Sequence, residues 1–108
     1  MIIQNVQNLE LLRERLPIIE KIFKQIPTKY VFVSGSFLYK EKYNDIDVFV
    51  ISRNKSLEKL KLDKKINLQI LDFNQLHSLF YHSISKSCVA KSFLPKKDLK
   101  VTISRYWR

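Results

Sequence analysis

Leu9, Leu12, Leu16, Ile19 and Phe23 recur at steps of three and four. That spacing predicts an amphipathic helix over about residues 6–26. Pro17 lies inside the pattern and predicts a kink or a split into two pieces, and Pro27-Thr28 ends it. Residues 29–34 then read as a strand rich in β-branched and aromatic side chains. The segment 36–44 opens with a turn or short helix, and a second apolar strand follows at 46–52, closed by Arg53-Asn54. Ser56 is placed to cap a short helix over 57–62.

Alternation marks a third strand at 65–71, with Ile66, Leu68 and Ile70 on one face and Asn67 and Gln69 on the other. Asp72-Phe73-Asn74-Gln75 has the form of a capping box opening a helix, with Phe73, Leu76 and Phe80 on its buried side. Residues 98–106 alternate Leu99, Val101, Ile103 with Lys100, Thr102, Ser104, so a fourth strand is expected there. The order helix, strand, connection, strand, helix, strand, helix predicts an α/β (α+β) architecture, with helices packed against a small mixed sheet.

A length of 108 residues predicts one domain spanning 1–108 with a modest core. The apolar runs are too short to span a bilayer, so no membrane partner is expected. Met1-Ile2-Ile3-Gln4-Asn5 lacks a basic n-region and a small-residue cleavage site, which predicts no signal peptide. The single cysteine, Cys88, excludes an intrachain disulfide and reads as a small buried residue. Cys/His ligand spacing is missing as well, which argues against zinc. The expected compartment is the cytoplasm.

The net charge of +10 is unevenly placed. Residues 1–36 carry three glutamates against five basic residues, whereas the stretch from Lys86 carries seven basic residues and only Asp98. Such a field attracts phosphate, in nucleic acid or in a nucleotide. A solubilising lysine-rich surface explains the same charge. The terminal Arg105-Tyr106-Trp107-Arg108 interleaves basic and aromatic residues as single-strand nucleic-acid binders do, or forms an amphipathic packing segment.

The chain's single glycine, Gly35, closes the first strand and is followed by Ser36. Glycine is required where the backbone takes a positive φ or passes close to another group. Asp45-Ile46-Asp47 stands at the head of the second strand, where side chains at i and i+2 share a face. Two carboxylates so close repel unless a cation lies between them or one is protonated. Mg²⁺ suits the pair because it takes oxygen ligands and keeps places for water and phosphate. Gly35 and Ser36 can offer N–H groups and a hydroxyl to those phosphates. These parts point to metal-assisted phosphoryl or nucleotidyl transfer. The plainer reading is a turn followed by a solvated strand start.

Val33-Ser34-Gly35-Ser36, eight residues, and then Asp45-Ile46-Asp47-Val48 resembles the signature of the DNA polymerase β-type nucleotidyltransferase superfamily. The short length is similar to its minimal prokaryotic members. The resemblance is strict over 33–48 and looser to about residue 72. It implies a small mixed sheet flanked by helices, with binding of NTP, ATP foremost, and Mg²⁺ or Mn²⁺. The implied activity is transfer of a nucleoside monophosphate to a hydroxyl of a protein or nucleic acid. By the same resemblance Gly35 and Ser36 bind the triphosphate and Asp45 and Asp47 hold the metals. Similarity to members that act as antitoxins makes a HEPN-type protein a candidate acceptor, beside RNA or DNA.

Two departures stand out. Many minimal members carry an arginine and a second glycine after Gly-Ser, where this chain has Phe37-Leu38-Tyr39-Lys40, after a somewhat short spacer. Lys40 and Lys42 are candidates for the missing positive charge at the nucleotide. The third carboxylate, expected on the next strand, is replaced by Asn67 as the positional match and third candidate metal ligand. Asp72 reads as a helix N-cap and Asp63 as a solvated loop acid. The resemblance ties the third acid to activating the acceptor hydroxyl, so an amide there would leave nucleotide and metal binding possible while removing a general base. The alternative is therefore a catalytically weak or inactive relative that binds nucleic acid or a partner protein through its basic segment. His77 and His82, five apart, do not share a helix face and read as surface residues. Tyr39 and Tyr43 either stack on a base, accept a modification, or simply pack.

Overall fold

A computed structural model describes residues 1–72 and 78–94. Two helices, α1 (Leu9–Gln25) and α2 (Ser78–Lys86), flank a sheet of β1 (Ile2–Gln4), β2 (Val31–Ser34), β3 (Ile46–Ile51), β4 (Ile66–Leu71) and β5 (Cys88–Ala90). The strand order is β1-β5-β2-β3-β4, with β3 and β4 parallel and the other pairs antiparallel. The expected α/β (α+β) architecture, a small mixed sheet between helices, is what the chain adopts.

α1 is one helix, not two pieces, and it starts at Leu9 rather than near residue 6. Asn8 sets that start, its side chain accepting from the Leu11 N–H at 3.1 Å, which satisfies an N–H that has no partner within the helix. Pro17 sits on the exposed side. Leu12, Ile19, Ile22 and Phe23, before and after it, are all buried against the sheet, so packing bridges the missing hydrogen bond. Beyond its last turn, the Lys91 ammonium donates to the Phe23 and Ile26 carbonyls at 2.8 and 2.9 Å, anchoring the helix end to the chain just after β5.

The sheet buries both faces near its middle. Val31 and Val33 of β2, with Val48 and Val50 of β3, join the α1 core. Phe32, between the two valines, faces α2 with Tyr81, Ile84, Cys88 and Ala90. Continuous burial of β2 follows from helices on both faces, and each such side chain removed from water contributes roughly 1.5–3 kcal/mol. β4 keeps the alternation read from its sequence, with Asn67 and Gln69 exposed and Ile66, Leu68 and Ile70 packed toward α1.

Two strands escape the sequence pattern. β1 and β5 have three residues each, too short for a periodic signal. β5 nevertheless lies inside the sheet between β1 and β2, and all three of its residues are fully buried. The short helix near 57–62 is a 3-10 helix at Lys55–Lys59, and its cap is Asn54 rather than Ser56. The Asn54 carboxamide accepts from both the Ser56 N–H and the Ser56 hydroxyl, so the serine is the donor in the pair that was expected to cap. The Asp72–Gln75 capping box, apart from Asp72 itself, and the strand expected at 98–106 lie outside the described residues. Phe73, Leu76 and His77 lie outside them too. His82 is exposed.

Burial raises the Cys88 thiol from its ordinary value to about 11. The phenol of Tyr81, packed in the same core, is also raised, first by burial, against a lowering contribution from the hydrogen bond it accepts from the Leu94 N–H. A raised folded-state value means that the native protein holds its proton while the unfolded chain releases it. Stability is therefore complete at neutral pH and falls as pH rises from about 9 through about 11. Urea unfolding across that window should show wild type losing about 2–3 kcal/mol more than Cys88→Ala; equal losses would refute the assignment.

Candidate functional site

β2 ends where β3, β4 and β5 begin, because all three run opposite to β2. The register runs straight across the sheet: Ser34 pairs with Asp47, and Asp47 with Asn67. Alternation puts Asp47, Asn67 and Gln69 on the face that α2 covers, while Ile46 and Val48 point to the α1 core. α2 lies over β2 and β5. Asp47 is half-buried and Asn67 exposed on the β3–β4 half of that face. Asp45 stands one residue ahead of β3 and is exposed.

Gly35 takes φ +83° and ψ −161°, a region of backbone space essentially confined to glycine. A side chain is excluded for a second reason. A Cβ built there would collide with the Asp47 carboxylate oxygen Oδ2 and lie 3.3 Å from its carboxyl carbon. The single glycine of the chain is thus spent on letting the main chain pass against the acid. Beyond it, residues 36–38 form a 3-10 turn, in which the Leu38 N–H donates to the Gly35 carbonyl at 3.0 Å.

Asp47 is held from its other side. The Asn67 carboxamide nitrogen donates to Asp47 Oδ1 at 3.4 Å, so the position expected to carry a third acid carries a donor to the second. Among the described residues no three His, Cys, Asp or Glu side chains gather as a metal-binding group. Asp63 is engaged in a local turn, accepting from the Lys65 N–H at 2.9 Å. Asp72 follows the far end of β4, roughly 17 Å along the strand from Asn67 at about 3.3 Å per residue. Lys40 and Lys42 are exposed on the connecting segment, and the Lys40 N–H donates to the Ser36 carbonyl at 2.8 Å.

What fixes this segment is a residue the sequence reading passed over. Arg15 is 7% exposed on the buried stripe of α1. Its Nη1 donates to the Phe37 carbonyl and its Nη2 to the Glu41 carbonyl at 2.7 Å, tying down both ends of the stretch after Ser36. The guanidinium carbon lies 4.9 Å from the Phe37 ring centre and 4.7 Å from that of Tyr43, whose rings meet edge to face. Tyr43 therefore packs, whereas Tyr39 is exposed. The available signal was the spacing of Arg15, three residues after Leu12 and four before Ile19.

No family model matches the chain, and no curated protein sequence matches it. Among solved structures it aligns with a chain of one described as a tri-AMPylated Shewanella oneidensis HEPN toxin in complex with MNT antitoxin. The identity is 16%, covering 90% of this chain and 87% of that chain, with a TM-score of 0.46. A toxin–antitoxin crystal structure with AMP-PNP aligns at 17% identity, covering 86% of each chain, with a TM-score of 0.45. Likenesses this distant leave the functional reading to the site itself.

The contact between Gly35 and Asp47 can be tested alone. Gly35→Ala should destabilise the protein by more than the roughly 1–3 kcal/mol of backbone strain, and Asp47→Gly should relieve the excess. A double-mutant cycle in urea should give a coupling of about 0.5–3 kcal/mol; additive costs would show that the two do not touch.

Proposed function

We propose that the chain is a minimal nucleotidyltransferase-type protein that binds NTP with a divalent cation at Gly35, Ser36, Asp45 and Asp47. The observation that carries this reading is the Gly35 turn pressed against the Asp47 carboxylate at the open end of the sheet. That juxtaposition puts a bend able to face phosphates beside an acid able to face a metal. Two carboxylates and an adjacent amide suit Mg²⁺, which retains water and binds substrate phosphates with few protein ligands. The cation would supply charge neutralisation at the phosphates. Gly35 and Ser36 would hold the phosphates, Asp45 and Asp47 the cation, and Lys40 and Lys42 are candidates for added positive charge. In nucleotidyl transfer the acceptor oxygen bonds to the α-phosphorus, the bond to the bridging oxygen breaks, and pyrophosphate leaves. The acceptor is a hydroxyl of a protein, a HEPN-type partner being the first choice, or of nucleic acid.

A second reading is favoured by one observation. Asn67 stands in register with Asp47 and donates to it, so the nearest strand neighbour cannot take a proton from an acceptor hydroxyl. That supports binding without efficient turnover, and a chain acting as a nucleic-acid- or partner-binding module.

Incubation with labelled ATP, CTP, GTP and UTP plus Mg²⁺ or Mn²⁺, alone and with HEPN-type proteins or tRNA, separates the readings. Label transfer that is lost in Asp45→Ala/Asp47→Ala supports the enzyme. No transfer and no NTP-dependent thermal shift would rule out the nucleotide site, and salt-sensitive RNA or DNA binding would then favour the module. Asn67→Asp gives the finer test. If a missing base limits turnover, the variant should transfer about 10²–10⁴-fold faster, the usual contribution of general base catalysis. An unchanged rate would place the limit elsewhere.

A further inference from the structure

At the end of the sheet that carries Gly35 and Asp47 there is also a cleft of about 500 Å³, whose lining includes Asn5, Gln7, Leu38, Tyr39, Lys86 and Ser87. Three elements converge there: the chain leaving β1, the end of the 3-10 turn after Gly35, and the junction of α2 with β5. The junction is pinned. The Asn5 carboxamide donates to the Lys86 carbonyl at 3.0 Å, and the Ser87 hydroxyl donates to the Asn5 carbonyl at 3.0 Å. Asn5 has φ +49°, a left-handed conformation that asparagine tolerates better than most residues. Gln4 pairs with Cys88 immediately beside it. The main chain at Lys86 and Ser87 is thus fixed to Asn5, while Lys86 itself is exposed and lines the cleft.

We propose that Lys86 binds the terminal phosphates of the nucleotide, the part that leaves as pyrophosphate. This rests on the nucleotide reading above and adds a direction to it. Across the sheet the order is Asn67 on β4, Asp47 on β3, Gly35 at the end of β2, and Ser87 at the head of β5. With the α-phosphate at the carboxylates and the next phosphate at Gly35–Ser36, the polyphosphate points away from β4 toward β5. Asp47 and the head of β5 are two strand spacings apart, roughly 10 Å. A triphosphate and a lysine side chain together cover that span. The nucleoside then lies toward β3 and β4, and the cleft receives the leaving group. Lysine suits this role as a flexible point charge whose three donors follow a moving phosphate.

Lys86 also stands in the last turn of α2, where a cation answers the helix dipole. The test must separate the two roles. Calorimetric titrations with Mg²⁺ plus ATP, AMP or inorganic pyrophosphate would be run on wild type, Lys86→Gln, Lys86→Arg and Lys24→Gln. Lys24 is exposed near the end of α1 and removes the same charge elsewhere. Lys86→Gln should weaken ATP and pyrophosphate at least tenfold and leave AMP within twofold, whereas Lys86→Arg and Lys24→Gln bind all three as wild type does. Equal weakening of AMP and ATP, or ATP binding unchanged in Lys86→Gln, would overturn the assignment while leaving the nucleotide site standing. Wild type that binds none of the three would overturn both. Unfolding midpoints report any helix contribution separately.

Discussion

The buried guanidinium of Arg15 is the contact on which the site end of the sheet depends. It bonds to carbonyls at Phe37 and Glu41 and lies against both the Phe37 and Tyr43 rings. A cation taken from water is costly unless its donors are satisfied, so the ten residues between Gly35 and Ile46 cannot rearrange without leaving it exposed to that cost. This segment contains only three residues of regular structure, yet it must deliver Gly35 to Asp47. Hydrogen bonds to charged groups contribute roughly 1.5–3 kcal/mol each, so α1 serves as a clamp for the loop as well as a cover for the sheet.

The carboxylate end and the glycine end of the site constrain each other. Asp47 has a backbone on one side that only glycine can provide and an amide on the other. The carboxylate is therefore held in orientation by its neighbours within the protein itself. The same arrangement accounts for the amide at position 67. A third carboxylate beside Asp47 would repel it in the absence of a cation, whereas Asn67 donates to it.

Much of this was legible in the sequence because it follows from short-range rules. The alternation in 65–71 placed Asn67 and Gln69 on the outer face, and the i, i+2 spacing placed Asp47 opposite the core-facing Ile46 and Val48. The lone glycine pointed to a special backbone position, which φ +83° now describes. What was not legible depends on partners far away in the chain. β5 is a strand because β1 and β2 enclose it, not because three residues announce it. Arg15 carried no local signal of its ring partners, which lie more than twenty residues on. Asn54 took the cap from Ser56 because a carboxamide can accept from an N–H and a hydroxyl at once.

The placement of β5 has a consequence for how the molecule is assembled. β1, although first in the chain, pairs with β5 alone. Its residues have no sheet to join until the chain has been made past Ala90, and the Asn5 contacts to Lys86 and Ser87 close loops of 81 and 82 residues. β2, β3 and β4 need no such closure, since each pairs with a neighbour within about twenty residues. Distant pairings are slow to form because loop-closure entropy is lost before contacts compensate. On a ribosome, then, the carboxylate half of the sheet can form while the N-terminal strand waits, and the cleft at Asn5, Lys86 and Ser87 closes only after β5 has been made.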